Sequence, residues 1–465
     1  MSRETRLLKN TAIIAIGNLF TKCVSFFLLP LYTTILSTEE FGTVDLITTY
    51  SSLLATVLTL QMEQAVFRFL VEARKDKQLQ KQYITTAFLC VSILLSAFVT
   101  VGGIVLGLAN YEYTAFLLIN TIVVAVNAIV LQIPRGFGDN TTFAAGSCIS
   151  GVLTVLLNVL FVAVLRMGIV GLLLATILAS VTSGVFVACK TRLLRYLDRK
   201  TLNRDCTKKM MKYALPLIPY TMCWWVIGSS DRMMISGFLG VSANGIYAVA
   251  NKFPSLFKMV SNIFQTAWME SAFENVDDAD RDAYYNKIIN TVVRFFSSCN
   301  LMIIAALPFV FGFLVEGEFS EAYNYLPIML TAVMLHSISA VYGALFFAFK
   351  ETKEVTRTTI WSAVVNVVIN LLLMPVIGLW AAAISTLVAY LINVVMRYYK
   401  MKKMCGIMVT LRYLIGVLAA YAVIIAAYHS GNLVLQIICL IAGFAYCVYA
   451  NRGLAEEVWR KIRKK

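Results

Sequence analysis

The chain has 465 residues, of which 59% are apolar and 14% are charged, with a formal net charge of +15 at pH 7. A soluble domain carries about 25% charged residues, so a single water-soluble globule is excluded. The ten cysteines are scattered without a Cys-x-x-Cys pair, so neither a disulfide framework nor a metal cage is predicted.

Apolar blocks of about 20 residues or more follow one another along the chain, each long enough to cross a hydrocarbon core of about 30 Å. The first contains Lys22 and is too long for the apolar region of a signal peptide, so we expect a retained span. The sequence therefore predicts an all-α integral membrane protein with 14 transmembrane helices, at residues 10–36, 41–69, 83–109, 113–133, 143–165, 168–189, 212–239, 244–273, 286–314, 324–349, 356–376, 379–399, 411–429 and 432–450.

Basic residues predict the orientation of these helices. Of the 40 Lys and Arg, 34 lie in alternate polar segments, among them 190–212 and 397–412, which must share one side of the membrane. The opposite set of loops holds only Arg166. By the positive-inside rule, both termini are predicted to be cytoplasmic. Topology and contact with anionic membrane lipids account for the positive charge, so no nucleic-acid partner is predicted.

An internal repeat is present at a shift of about 203 residues. Residues 39–42, which open the second span, fall against residues 242–245, which open the eighth, and polar positions after them coincide at helical spacing. Six spans separate the copies, so the halves keep one orientation and are related by a pseudo-two-fold axis along the membrane normal. We predict two six-helix lobes followed by two C-terminal helices, with boundaries 1–205, 206–405 and 406–465.

Five cations remain inside the predicted spans. Each would cost about 2.5–3.5 kcal/mol at a helix centre facing lipid, so we expect them to face a wet interior or to be paired. Lys22 lies about 18 Å from either end of its span, beyond the reach of a snorkelling lysine. For Lys22 the alternative is an ion pair with Glu63 or Asp231, and for Arg232, Lys252 and Arg294 it is snorkelling. The candidate substrate-binding cations are Lys22, Arg232, Lys252, Lys258 and Arg294.

A polar stripe runs along the eighth span. Its five members are spaced alternately by four and three residues, which keeps them on one helical face. The second span carries a similar series from Asp45 to Glu63. Hydrogen bonding between helices is the alternative, but a central lysine and the repetition in both halves favour a cavity wall. The stripe adds four candidate substrate-binding residues to Lys258, namely Asn251, Ser255, Asn262 and Gln265.

Carboxylates inside the spans are fewer. Glu63 and Asp231 are candidates for tuning the cations or carrying a coupling ion, whereas Asp45 lies near a span end and is expected to be solvated. His336 is interpreted as a hydrogen-bonded structural group. The chain has no phosphate-binding Gly-rich loop, no long outer loop and no catalytic dyad. We therefore predict a transporter, not an enzyme, with no cofactor and no metal.

Short motifs carry a resemblance over essentially the whole length. They are Glu40-Phe41-Gly42 before the second span, Leu215-Pro216 and Asp231-Arg232 around the seventh, and residues 245–250 in the eighth. With these motifs the chain resembles polysaccharide flippases of the multidrug/oligosaccharidyl-lipid/polysaccharide exporter superfamily, in particular the O-unit (Wzx-type) branch.

The resemblance implies a V-shaped pair of lobes in the bacterial cytoplasmic (inner) membrane. Such proteins move an undecaprenyl-pyrophosphate-linked oligosaccharide to the outer leaflet by alternating access, for surface polysaccharide biosynthesis. The implied partners are this lipid-linked oligosaccharide, membrane lipids and glycan-assembly proteins. Of the candidate residues, only Lys22 and Asp231-Arg232 match positions that the resemblance carries over.

The sequence alone leaves other functions open. A multidrug or cation antiporter of the same superfamily should have a cavity dominated by carboxylates and aromatic residues, whereas the spans here are net basic. Flippases for peptidoglycan or teichoic-acid precursors share the required chemistry. A glycan polymerase is disfavoured because every outer loop is short.

Overall fold

The computed structural model describes residues 26–408 and 411–463, and this part of the chain is helical outside its turns, with no β-strand. The predicted all-α class is therefore confirmed. The described residues form two compact units that divide between Met233 and Met234. The division into 1–205, 206–405 and 406–465 stays a prediction.

The helices of the first unit are α1 (Leu29–Ile35), α2 (Thr38–Leu58), α3 (Met62–Glu72), α4 (Lys77–Leu108), α5 (Thr114–Val130), α6 (Gln132–Phe137), α7 (Asn140–Asn158), α8 (Gly168–Lys190), α9 (Arg204–Ala214) and α10 (Leu217–Leu239), which continues past Met233. Helix α2 packs against α5 and α8, and α7 packs against α8. A π-helical turn at Val159–Val164 continues α7, and short 3-10 turns at Leu193–Tyr196 and Arg199–Thr201 precede α9.

The second unit contains α11 (Val241–Glu274), α12 (Arg281–Leu314), α13 (Leu326–Ala348, after a 3-10 segment at Gly317–Tyr325), α14 (Thr352–Ile377), α15 (Leu379–Cys405), α16 (Leu411–His429) and α17 (Leu433–Arg463). Helix α13 is central, because it contacts α11, α12, α14 and α15. It carries no charged residue, as expected for a helix without a solvent face. Helices α16 and α17 pack against α12.

The predicted count of fourteen spans is not confirmed. Ten segments of the described residues are long and apolar enough to cross a membrane, and Ile415–His429 is a shorter apolar helix. Helices α10 and α11 are long enough but too polar to qualify, and the predicted span 10–36 lies mostly outside the described residues. The ten are Thr38–Leu58, Lys77–Leu108, Thr114–Phe137, Asn140–Val164, Gly168–Lys190, Arg281–Leu314, Gly317–Ala348, Thr352–Ile377, Leu379–Cys405 and Leu433–Gly453.

The predicted continuous span at 41–69 is wrong, because the helix breaks. Leu60 and Gln61 adopt left-handed backbone conformations, with φ of 49° and 59°, and separate α2 from α3. A left-handed residue cannot continue a right-handed helix, so the polar series from Asp45 cannot extend as one stripe to Glu63.

Glu40 of the Glu40-Phe41-Gly42 motif has a structural role at the start of α2. The Ser37 hydroxyl accepts a hydrogen bond from the Glu40 amide at 3.1 Å, and the Glu40 carboxylate accepts one from the Ser37 amide at 2.9 Å. This capping box satisfies two amides that the first helical turn leaves open. Helix α11 begins at Val241, which lies 203 residues after Thr38 and therefore agrees with the shift of the sequence repeat.

Candidate functional site

The predicted substrate-binding residues that the structure describes are on α10, α11 and α12, and most are on α11. Lys22 lies outside the described residues, so its predicted role stays a prediction. Asn251, Lys252, Ser255, Lys258, Asn262 and Gln265 share one continuous helix, which passes through Pro254 without a break.

The polar stripe of α11 lies beside the face that the helix buries. Phe253, Phe257 and Trp268 are buried on that face, and the Trp268 indole donates a hydrogen bond to the Val341 carbonyl of α13 at 3.0 Å. In contrast, Ser255 and Asn262 of the stripe are exposed. Polar side chains exposed on a helix of this length suit a water-filled passage better than lipid.

Lys258 lies at the border between the stripe and the core of the second unit. The next polar residue on the buried side, Ser261, accepts a hydrogen bond from the Ser337 hydroxyl of α13 at 2.8 Å. A hydrogen bond between α11 and α13 therefore lies about one turn from Lys258 on the buried side of the helix, while the stripe continues on the exposed side.

Arg232 forms an ion pair that the sequence analysis did not anticipate. Its Nε lies 2.7 Å from Oδ2 of Asp45, although the contact lacks the angle of an aligned hydrogen bond, and each side chain is only 18% exposed. The expectation that Asp45 is solvated is therefore wrong. Because the pair joins α2 to α10, Asp45 largely offsets the charge of Arg232 within the first unit.

The polar series of α2 contributes to contacts between helices. The Trp225 indole of α10 donates a hydrogen bond to the Ser52 hydroxyl at 3.3 Å, and the Thr221 hydroxyl donates one to the Gln61 side chain at 3.2 Å. The hydroxyl groups of Thr48 and Thr56 donate to backbone carbonyls of their own helix. Hydrogen bonding between helices, the alternative for this stripe, therefore describes α2 better than a cavity wall does.

The two candidate tuning carboxylates differ in their surroundings. Asp231 is 3% exposed, next to the paired Arg232 on α10. Glu63 lies in the first turn of α3, and its buried Oε2 has no hydrogen-bond partner within residues 26–408 and 411–463. Their predicted roles as tuning or ion-coupling groups stay predictions.

Arg294 contacts an aromatic ring of another helix. It is exposed on α12, and its guanidinium lies 5.7 Å from the ring centroid of Tyr413 on α16. This cation–π contact joins α12 to α16.

Sequence reasoning missed a deeply buried cation of the second unit. Arg397, counted among the loop cations of 397–412, is 1% exposed within α15, so its assignment to a loop is wrong. Its guanidinium donates hydrogen bonds to the Ser339 carbonyl at 2.8 Å, the Thr358 hydroxyl at 3.1 Å and the Thr359 hydroxyl at 3.3 Å. Asn393, one turn earlier, donates to the Thr358 carbonyl at 3.1 Å.

We call this set, namely Ser339, Thr358, Thr359, Asn393 and Arg397, the Arg397 network. It joins α13, α14 and α15, and the side chains of Ser339 and Asn393 are also hydrogen-bonded to each other. Buried polar groups of this kind are stable only when they are hydrogen-bonded, so the network fixes the register of three helices.

Two family profiles match the sequence. The profile of the "Polysaccharide biosynthesis protein" family matches residues 7–269, and that of "Lipid II flippase MurJ" matches residues 341–452. No curated protein matches the chain at a significant level.

Solved structures share the fold of the chain. A lipid II flippase MurJ in an inward closed conformation aligns with a TM-score of 0.71 at 12% identity, over 96% of this chain and all of its own. An outward-facing multidrug resistance MATE transporter aligns with a TM-score of 0.61 at 15% identity, over 87% of this chain and 96% of its own. A transporter of the multidrug/oligosaccharidyl-lipid/polysaccharide (MOP) superfamily from Pyrococcus furiosus, with a binding pocket of reverse polarity, aligns with a TM-score of 0.59 at 16% identity. The alignment covers 86% of this chain and 96% of that transporter.

Proposed function

Because the chain belongs to the polysaccharide biosynthesis protein family and has the fold of the MOP exporter superfamily, we propose that it flips an undecaprenyl-pyrophosphate-linked oligosaccharide across the bacterial cytoplasmic membrane. The proposed mechanism is alternating access, in which the polar headgroup crosses through a wet passage while the lipid tail stays in the bilayer.

The observation that carries this proposal is the stripe of α11 with Lys258 at its centre. A pyrophosphate cannot enter hydrocarbon unaided, so the passage must replace its water with cations and polar groups. Lys252 and Lys258 supply positive charge, and the exposed Ser255 and Asn262 supply hydrogen-bonding groups for sugars. Among the charged candidates, Arg232 contributes less, because Asp45 already offsets its charge.

We expect both termini in the cytoplasm, following the distribution of basic residues. A cysteine placed at Glu112 or Glu318, both in outer segments on this topology, should react in intact cells with a membrane-impermeant maleimide. A cysteine at Arg199 should react only after the cells are opened. All variants need a background without reactive native cysteines, and labelling of position 199 in intact cells would contradict the proposed orientation.

Lipid II is the second candidate substrate, favoured by the family match over residues 341–452 and by the shared fold. Both candidate substrates are polyprenyl pyrophosphates bearing sugars, so the same cations would serve either one. The glycan portion therefore decides between them, through contacts that the stripe makes with sugar hydroxyls.

Complementation in two bacterial strains should distinguish these candidates. We expect the chain to restore surface polysaccharide in a strain that lacks its O-unit flippase, measured by gel analysis of the glycan at matched protein level. We expect no growth rescue in a strain depleted of its lipid II flippase. Rescue of growth alone would reassign the substrate to lipid II, and rescue in neither strain would contradict both assignments.

A further inference from the structure

A separate cavity lies between α12, α16 and α17 in the second unit. Its volume is about 480 Å³, within the range of about 300–1,000 Å³ usual for ligand pockets. Three cations line it, Lys287 and Arg294 from α12 and Arg452 from α17, together with a single acidic residue, Glu456. The charge of the described lining is therefore positive, which suits an anionic ligand.

The cavity lies at the level where the helices leave the hydrocarbon. Residues 295–314, after Arg294 in α12, are mainly apolar and contain no charged residue, and the same holds for residues 433–450, before Arg452 in α17. Stretches of about 20 residues span the hydrocarbon core, so both arginines fall at its edge, in the headgroup region. Tyr413, Tyr446 and Tyr449 also line the cavity, as expected for an aromatic belt at this depth.

Two of the three cations of the cavity lie over aromatic rings. The guanidinium of Arg452 lies 4.8 Å from the ring centroid of Tyr449, and that of Arg294 lies 5.7 Å from that of Tyr413. Stacking of this kind orients a guanidinium while leaving its edge available to hydrogen-bond a phosphate. The pair therefore offers phosphate-binding groups from two helices.

The lining of the cavity also includes Asn451, which has a neutral hydrogen-bond acceptor. The Asn451 amide nitrogen donates to the Cys447 carbonyl at 2.7 Å and to the Ser298 hydroxyl at 2.8 Å, which fixes the orientation of the amide. Its carbonyl oxygen is buried and accepts no hydrogen bond within the part of the chain that the structure describes. A buried acceptor is stabilised by a donor, and the hydroxyl of a bound headgroup is such a donor.

The surface below the cavity indicates where its ligand comes from. Along α17, the side chains of Ile441, Phe444 and Val448 are 64%, 60% and 56% exposed, which is suited to acyl chains and not to water. A ligand with a phosphate at the cavity and hydrocarbon along this strip would satisfy both surfaces at once.

We propose that this cavity binds the phosphodiester headgroup of an anionic, hydroxyl-bearing phospholipid such as phosphatidylglycerol. Lys287, Arg294 and Arg452 contact the phosphate, the Asn451 carbonyl accepts from a headgroup hydroxyl, and the acyl chains lie along α17. This is a lipid-binding site distinct from the stripe of α11, and it depends on the membrane fold alone and not on the identity of the transported lipid.

The test is lipid binding to the purified, delipidated full-length chain, followed by native mass spectrometry with phosphatidylglycerol or phosphatidylcholine. Wild type should bind phosphatidylglycerol more tightly than phosphatidylcholine. The double variant Lys287→Gln, Arg452→Gln should bind phosphatidylglycerol at least about tenfold more weakly, equivalent to about 1.4 kcal/mol, because it removes two of the three cations that contact the phosphate while Arg294 remains. Lys287→Arg with Arg452→Lys should restore most of the affinity.

The matched control is Lys353→Gln, Arg357→Gln, which removes the same charge from an exposed basic surface at the start of α14. We expect its affinity to stay within about twofold of wild type, since non-specific surface attraction is weak and screened. Equal losses in the two double variants, or no loss in either, would overturn the site. Displacement of the lipid by glycerol phosphate would make it a site for soluble phosphate, and displacement by undecaprenyl pyrophosphate at equal concentration would assign it to the transported lipid. Either displacement also contradicts the proposal, while failure of the complementation experiment leaves it untouched.

Discussion

Arg397→Ala is expected to prevent stable folding of the second unit. The substitution removes the donors to the Ser339 carbonyl and to the hydroxyls of Thr358 and Thr359, and it leaves a cavity where three helices meet. Truncating a large, fully buried and hydrogen-bonded side chain costs about 3–5 kcal/mol. Net stabilities are about 5–15 kcal/mol, so this loss is a large fraction of the total.

Fluorescence-detected size-exclusion chromatography of the detergent-solubilised protein measures this effect. Arg397→Ala should give a small, aggregated peak, and Arg397→Lys an intermediate result, because one ammonium cannot reach all three partners. Lys403→Ala, at an exposed position near the end of the same helix, is the control and should behave as wild type. A monodisperse Arg397→Ala protein that melts at the wild-type temperature would show that the network is dispensable.

The sequence contains a signal for the Arg397 network, but the basic residues that follow Arg397 favour a different interpretation. Thr358, Ser362, Asn366 and Asn370 recur every four residues, which keeps one polar face along α14. Arg397, however, begins a basic series with Lys400, Lys402 and Lys403, and such a series is typical of a cytoplasmic loop. Only packing against α13 and α14 distinguishes the first member of this series from the others.

Tertiary contacts also explain the other errors. The Arg232–Asp45 ion pair joins residues that are far apart in the chain, and helical periodicity within one span says nothing about such partners. The break after α2 occurs at Leu60 and Gln61, where neither Gly nor Pro marks an interruption. In contrast, the helical class and the beginnings of α2 and α11 were predictable, because both depend on local patterns of apolar and polar residues.

Lys258→Ala is expected to lower surface glycan at least about tenfold while leaving the protein folded in the membrane. We propose that this ammonium group contacts the pyrophosphate of the lipid-linked glycan, and one charge-assisted contact contributes about 1.5–3 kcal/mol, equivalent to about 10–100-fold. The fold should tolerate the change because Lys258 is only partly buried and the Ser261–Ser337 hydrogen bond next to it remains.

The measurement is complementation of an O-unit flippase-deficient strain, with protein level and monodispersity matched to wild type. Lys258→Arg should restore part of the activity, since it keeps the charge and changes the donor geometry. Lys353→Ala, an exposed lysine outside the stripe, should leave surface glycan unchanged. We propose Lys22, a candidate cation from the sequence, as a further contact to the pyrophosphate, so adding Lys22→Ala should lower the glycan below the level of Lys258→Ala alone. Wild-type amounts of glycan from that double variant would show that the pyrophosphate is held by other residues.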